Sequence, residues 1–221
     1  MSAFSLLTPL TTPKPPREAV EILRPSSFEK LEQLDNLIAV DIETNGTKAH
    51  DLDCRIVGVG FADHSHIFYV PVDSVQTMDY ILKFLETREL IGYNIYFDAA
   101  FLHREYSRMR DASMYGPGQK WLDWKWDIYA FYKNLASEGA PGQEWGLKAA
   151  QSQLLGWTEV GDVELGRWLV ENGHVSTHRL ERTEGFYRYE DEGTLKWGKP
   201  DKSKMYLAPA DILGYYCGLD A

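Results

Sequence analysis

Leu37 to Gly46 reads LIAVDIETNG. Leu37, Ile38, Ala39 and Val40 form a short apolar run that leads into Asp41, Ile42, Glu43 and Thr44, and Asn45-Gly46 breaks it. This pattern predicts a buried strand closed by a turn. Side chains alternate along a strand, so Asp41 and Glu43 share one face and Ile42 takes the other. Two carboxylates held that close repel each other, and a cation between them relieves the repulsion. Hard oxygen donors of this kind suit magnesium or manganese. On these residues alone, the alternative is a pair of solvent-facing acids ahead of an ordinary turn.

The surrounding composition limits what the chain can be. At 221 residues it suits one domain with a full core. A formal charge of -10 has the wrong sign for holding duplex nucleic acid through phosphate contacts alone. An acidic chain can still take a nucleic-acid end where metal ions neutralise the local charge, and an acidic domain with no nucleic-acid role fits the charge as well. Cys54 and Cys217 are the only 2 cysteines and lack CxxC spacing. That speaks against a disulfide framework or a structural zinc and fits a reducing compartment, so the expected location is the cytoplasm. No apolar run reaches the length of a membrane span, and the first residues do not read as a signal peptide.

Upstream of the first strand, Pro9, Pro13, Pro15, Pro16 and Pro25 mark residues 1–27 as an extended arm. Ser27 is the expected cap of a helix from Phe28 to Leu34. Downstream, Arg55 to Ala62 alternates Ile56, Gly58 and Gly60 against Val57, Val59 and Phe61, and pairs with His66 to Val72 as a hairpin. His64 and His66 are read as hairpin residues, not metal ligands. Val75 to Glu86 has helical spacing, Leu90 to Tyr93 is a short strand, and Asp98 to Tyr106 is a helix. After the Gly116-Pro117-Gly118 loop come a strand near Trp121 to Lys125 and a helix capped by Asp127 and running to Ala136. Trp145 to Leu155 and Val163 to Glu171 are further helices, ended by Gly156 and Gly173. Phe186 to Trp197 reads as a small hairpin, and Ala208 to Ala221 as the last helix. His174 and His178 are assigned to a surface loop. This order predicts an α/β domain with a mixed sheet.

Two further stretches carry chemistry. In LIGYNIYFDAAFL, residues 90–102, Asn94 ends a strand and Asp98 opens a helix, at the carboxyl edge where α/β sheets build sites. The plain reading of Asp98 is an acid favoured by the helix dipole. In the last helix Tyr216 and Asp220 lie four apart and share a face, so a phenol stands beside a carboxylate. The plain reading is an amphipathic helix.

Taken in order, DxE at a strand end, Nx3D entering a later helix and Yx3D in the final helix resemble the DEDDy branch of 3′–5′ exonucleases. The resemblance spans Leu37 to Asp220. It implies a ribonuclease H-like fold, a mixed five-stranded sheet flanked by helices. DxET, NxxFD and YxxxDA look most like the proofreading domain of family A, Pol I-like DNA polymerases. The stretch 156–207 would be a helix-plus-hairpin insertion more like phage versions, in a domain covering residues 28–221.

The resemblance implies two divalent ions, Mg2+ or Mn2+. Asp41 would bridge them, Glu43 and Asp220 would complete the shell of the first, and Asp98 would hold the second. Tyr216 would orient the attacking water, while Thr44, Asn94 and Phe97 would contact the terminal nucleotides. One departure stands out: Thr47 occupies the region where family A members often place a wedging leucine. The implied substrate is a single-stranded or frayed DNA 3′ end, the product a nucleoside 5′-monophosphate, and the partner a polymerase domain in the same natural chain. The natural protein is accordingly expected to extend beyond Ala221. Two alternatives keep the same fold: a ribonuclease D-like RNA 3′ trimming enzyme, and an inactive exonuclease fold that only binds. A Rossmann-type nucleotide domain is excluded by the missing Gly-rich loop after the first strand.

Overall fold

The computed structural model describes residues 13–110, 122–135, 146–157, 162–176, 187–191 and 194–221. Its main strands are β1 (Val20–Ile22), β2 (Leu37–Thr44), β3 (Ile56–Ala62), β4 (Ile67–Pro71), β5 (Glu89–Gly92) and β6 (Asp123–Asp127). They form one mixed sheet in the order β1-β4-β3-β2-β5-β6. The hairpins β2–β3 and β3–β4 are antiparallel, while β2–β5, β5–β6 and β1–β4 run parallel. Apart from β1, this is the ribonuclease H-like arrangement of three meandering strands extended by two parallel ones. The sheet has six strands, not the expected five, because Val20–Ile22 from the proline-rich stretch pairs along β4.

Helices cover both faces. On one face α1 (Val75–Leu85) and α2 (Tyr96–Arg110) pack with the 3-10 helix Pro25–Gln33 over Ile38, Val40, Ile42, Val59 and Phe61. The apolar spacing Met78, Ile81, Leu82, Leu85 supplies the buried stripe of α1, and Ser74 Oγ caps it by accepting from Thr77 N at 3.1 Å. Beyond β6 come α3 (Ile128–Leu135), α4 (Leu147–Leu155) and α5 (Asp162–Glu171). Residues β7 (Tyr187–Asp191) and β8 (Thr194–Gly198) form the expected separate hairpin, and α6 (Ala210–Asp220) is the last element. The opposite face of the sheet is covered by α5 and α6, with Leu165, Leu169, Leu213 and Cys217 packed around Tyr69.

Several local readings are corrected. Pro25, not Ser27, opens the helical turn; Ser27 sits inside it, with its hydroxyl accepting from Arg24 N at 3.1 Å. Helix α2 begins two residues before Asp98, and α6 begins after Pro209, whose ring disfavours helical backbone at the preceding Ala208, which is extended with ψ 148°. Simple alternation fails in β3. Thr44 pairs with Ile56 but Glu43 pairs with Gly58, so Val57 is bulged. The extra residue sends Ile56 into the α1/α2 core and Val57 toward α5 and α6. The Gly116-Pro117-Gly118 loop, Trp121, Trp145 and His178 lie outside the described residues.

Glycines set how near α6 comes to the sheet. A Cβ at Gly60 would stand 2.9 Å from the Cys217 carbonyl oxygen and 3.0 Å from its Sγ, and one at Gly214 would stand 2.7 Å from Tyr69 Cδ1. Both contacts are tighter than side chains tolerate. Gly60→Ala is therefore expected to cost about 1–3 kcal/mol in denaturant unfolding, the usual scale of overpacking. Gly146→Ala, where nothing lies within 4 Å, is the comparison and is expected to cost less. Equal stabilities would show that the seam is not tight.

Candidate active site

The carboxyl end of β2, the turn into α2 and the last turns of α6 meet at one cavity of about 400 Å³. Asp41, Glu43, Thr44, Asn94, Phe97, Asp98, Tyr216 and Asp220 all line it, so every site residue read from the sequence is brought to one place. Thr47 lines it too.

Each group arrives there for a local reason. Asp41 and Glu43 lie on the α6 face of β2, opposite Val40 and Ile42 in the core. Asp98 belongs to the first turn of α2, where the helix dipole favours an acid. Its Oδ1 accepts from Ile42 N at 3.0 Å, beyond the last pairing of β2 with β5. Asn94 makes the turn from β5 into α2 with φ 58°, in the left-handed region that Asn tolerates better than most residues. That turn is fixed by Asp127, whose Oδ1 accepts from Asn94 N at 2.9 Å and from Tyr129 N at 3.0 Å. Asp127 thus caps α3, as expected, and also supports Asn94. Phe97 is half-buried and packs against Phe101, ring centroids 5.0 Å apart. Tyr216 and Asp220 come from one face of α6, the helix drawn close by Gly60 and Gly214.

The carboxylates stand at an electrostatic cost. Burial pushes Asp41 well above the ordinary carboxylate range, and Glu43, Asp220 and Asp98 add to the shift. Glu43 is raised in the same way, first by burial and then by Asp220, while Lys148 and Lys202 pull it back. Asp98 is pushed up to about 7, mainly by burial and against the Ile42 hydrogen bond. Glu43 is 5% exposed, and among the described residues no hydrogen bond or ion pair reaches its carboxylate. Buried, mutually repelling oxygen donors with an unsatisfied carboxylate among them fit a hard divalent cation.

Four groups escaped sequence reasoning. Lys202 and Ser203 reach the cavity from the 3-10 helix Lys202–Leu207, which follows the second hairpin. Lys148 on α4 forms an ion pair with Asp220, and its Nζ lies 4.7 Å from the centre of the Tyr216 ring. Cys217 donates its thiol to Asp41 Oδ2 at 3.4 Å and to the Asp41 carbonyl at 3.5 Å. The ligand atoms of Asp41, Glu43 and Cys217 lie within 4.8 Å of one another. Nothing in the spacing of Lys148 marks it, since it stands in an unremarkable helix. His64 stays a hairpin residue, its Nδ1 2.7 Å from Asp35 Oδ2.

No protein-family model matches the chain, and no curated protein sequence matches it. Some solved structures are similar to parts of it. The Aedes aegypti Nibbler EXO domain superposes with a TM-score of 0.47 at 11% identity, over 66% of this chain and 72% of that one. Brucella melitensis NrnC bound to pGG superposes with 0.43 at 16% identity; this chain spans 60% of its length, using 63% of its own. An EXD2 exonuclease domain soaked in Mn and GMP gives 0.31 at 14% identity, over 63% and 70% of the two chains. Among the described residues, no helix is long and apolar enough to cross a membrane.

The raised carboxyls set a pH dependence. A carboxyl with a higher pKa folded than unfolded is protonated earlier in the native state, so its contribution is present at low pH and lost as pH rises through the folded value. For Asp98 that window runs from its ordinary value of 3.8 to about 7. The metal-free protein is expected to lose stability across this window, by at most about 4 kcal/mol from Asp98. Asp98→Asn should flatten the slope, and divalent ions should oppose it. Chemical denaturation at several pH values checks this; a slope that Asp98→Asn leaves unchanged would contradict the assignment.

Proposed function

We propose that this chain is a metal-dependent 3′–5′ exonuclease that releases nucleoside 5′-monophosphates from single-stranded or frayed DNA ends. The observation that carries this reading is the convergence of Asp41, Glu43, Asp98, Asp220 and Tyr216 on one cavity that also holds Phe97, Asn94 and Thr44. In the finer form of the proposal, the activity is proofreading for a family A DNA polymerase whose polymerase domain belongs to the same natural chain.

Asp41, Glu43 and Asp220 would hold one divalent ion, and Asp98 with Asp41 a second, Mg2+ or Mn2+. When bound, such ions neutralise the phosphodiester and acidify water. The chain's own groups do the rest. Tyr216 presents a phenol that hydrogen-bonds and orients a water beside the carboxylates. That water attacks phosphorus, the bond to the 3′ oxygen breaks, and the proton balance leaves a 3′ hydroxyl on the shortened strand and a 5′-phosphate on the released nucleoside. Phe97, held against Phe101, offers a ring face on which an unpaired terminal base can stack. Thr44 and Asn94 stand where they can contact that nucleotide. A base must leave its duplex partner to stack this way, so a mispaired end reaches the site more often than a paired one.

The test uses matched single-stranded DNA and RNA labelled at the 5′ end. The expected result is a ladder shortened from the 3′ end, DNA faster than RNA, only with Mg2+ or Mn2+ present. Asp41→Ala should abolish it while leaving the fold intact or more stable, since one repelling carboxylate is gone. Tyr216→Phe should lose roughly 10- to 1000-fold, the scale of one positioned catalytic group. Activity surviving full chelation would overturn the metal-dependent reading, faster RNA loss would favour RNA trimming, and ion binding without turnover would favour a binding module.

A further inference from the structure

Lys148 touches two of the proposed active-site side chains at once. It lies on α4, an element to which the motif resemblance gives no role. Its ammonium pairs with the carboxylate of Asp220 and covers the ring of Tyr216 at 4.7 Å, a cation–π distance. The Asp220 side chain is only 8% exposed and that of Lys148 31%, so the pair is weakly screened. The charge of Lys148 also reaches Glu43, where it opposes the repulsion from Asp220. Helix α4 is anchored beside the site independently, because Gln151 Nε2, one turn on, donates to the Leu219 carbonyl at 2.7 Å. The lysine is therefore held in place by the fold.

We infer that Lys148 is a positioning residue, a built-in cation that holds Asp220 and Tyr216 in place before a divalent ion arrives and whose charge competes with that ion for Asp220. The inference rests on the exonuclease reading above. Its logic is competition. A carboxylate has lone pairs for both partners, but the ammonium of Lys148 already offsets the charge of Asp220 and repels an arriving divalent ion, so the metal gains Asp220 against the charge of Lys148. Removing the lysine charge removes the competitor and leaves the site more negative. The metal should then bind more tightly, while the metal-free protein, left with uncompensated carboxylates, should be less stable.

The experiment is Mn2+ titration by electron paramagnetic resonance of the free ion, with thermal unfolding measured with and without Mn2+. The proteins are wild type, Lys148→Met, Lys148→Gln and Lys148→Arg. The two neutral variants should bind Mn2+ roughly 5- to 50-fold more tightly, the scale of one partly buried charge pair. They should also melt lower without Mn2+ and gain more from it than wild type does. Lys148→Arg, which keeps the charge, should stay near wild type. A side chain needed only for packing would lower melting equally with and without the ion and would not tighten binding. Neutral variants that bind Mn2+ as well as or more weakly than wild type would overturn the inference, and Lys148→Gln carries the test if Lys148→Met does not fold. Wild type that binds no Mn2+ would overturn the exonuclease reading beneath it as well, which separates the two failures.

Discussion

The close approach of α6 to strand β3 is the constraint on which the rest depends. Asp220 and Tyr216 sit on a helix, Asp41 and Glu43 on a strand, and they meet only if the two backbones come near. Gly60 leaves room for the Cys217 carbonyl and sulfur, and Gly214 leaves room for the face of Tyr69. Cys217 then fills the gap and donates a thiol hydrogen bond to Asp41 Oδ2. A larger residue at either glycine would hold the helix off the sheet, and the carboxylates would no longer share one cavity.

What the close approach gains in geometry it costs in electrostatics. Asp41, Glu43 and Asp98 are all raised, burial being the first cause in each. The fold limits this cost with local donors: the Ile42 amide on Asp98, the Cys217 thiol on Asp41 and the Lys148 ammonium on Asp220. These contacts keep the site assembled, while among the described residues no hydrogen bond reaches the carboxylate of Glu43, which is 5% exposed. Buried, mutually repelling carboxylates of this kind fit a divalent cation.

The parts legible in the sequence are those set by local rules. The faces of Asp41 and Glu43 follow from strand alternation, the pairing of Tyr216 with Asp220 from helical spacing, and the Asp127 cap from one residue type at one boundary. The illegible parts depend on partners far along the chain. The Val57 bulge exists only in register with β2, so the alternation written in β3 misplaces Ile56 and Val57. Strand β1 forms because β4 offers it an edge, and a three-residue stretch among prolines carries no signal of that. Lys202 lines the cavity and Lys148 pairs with Asp220 from segments whose sequence marks a turn or a helix and nothing more.

The most direct measurement is a crystal of the protein with Mn2+ and a nucleoside 5′-monophosphate, read by the anomalous signal of manganese. The account requires manganese roughly 2.0 to 2.6 Å from oxygens of Asp41 and Glu43, the range of hard-cation oxygen ligands, with the nucleotide phosphate beside it and the base against Phe97. Manganese absent from this cavity, with Asp220 still paired to Lys148 and the nucleotide bound elsewhere, would contradict it.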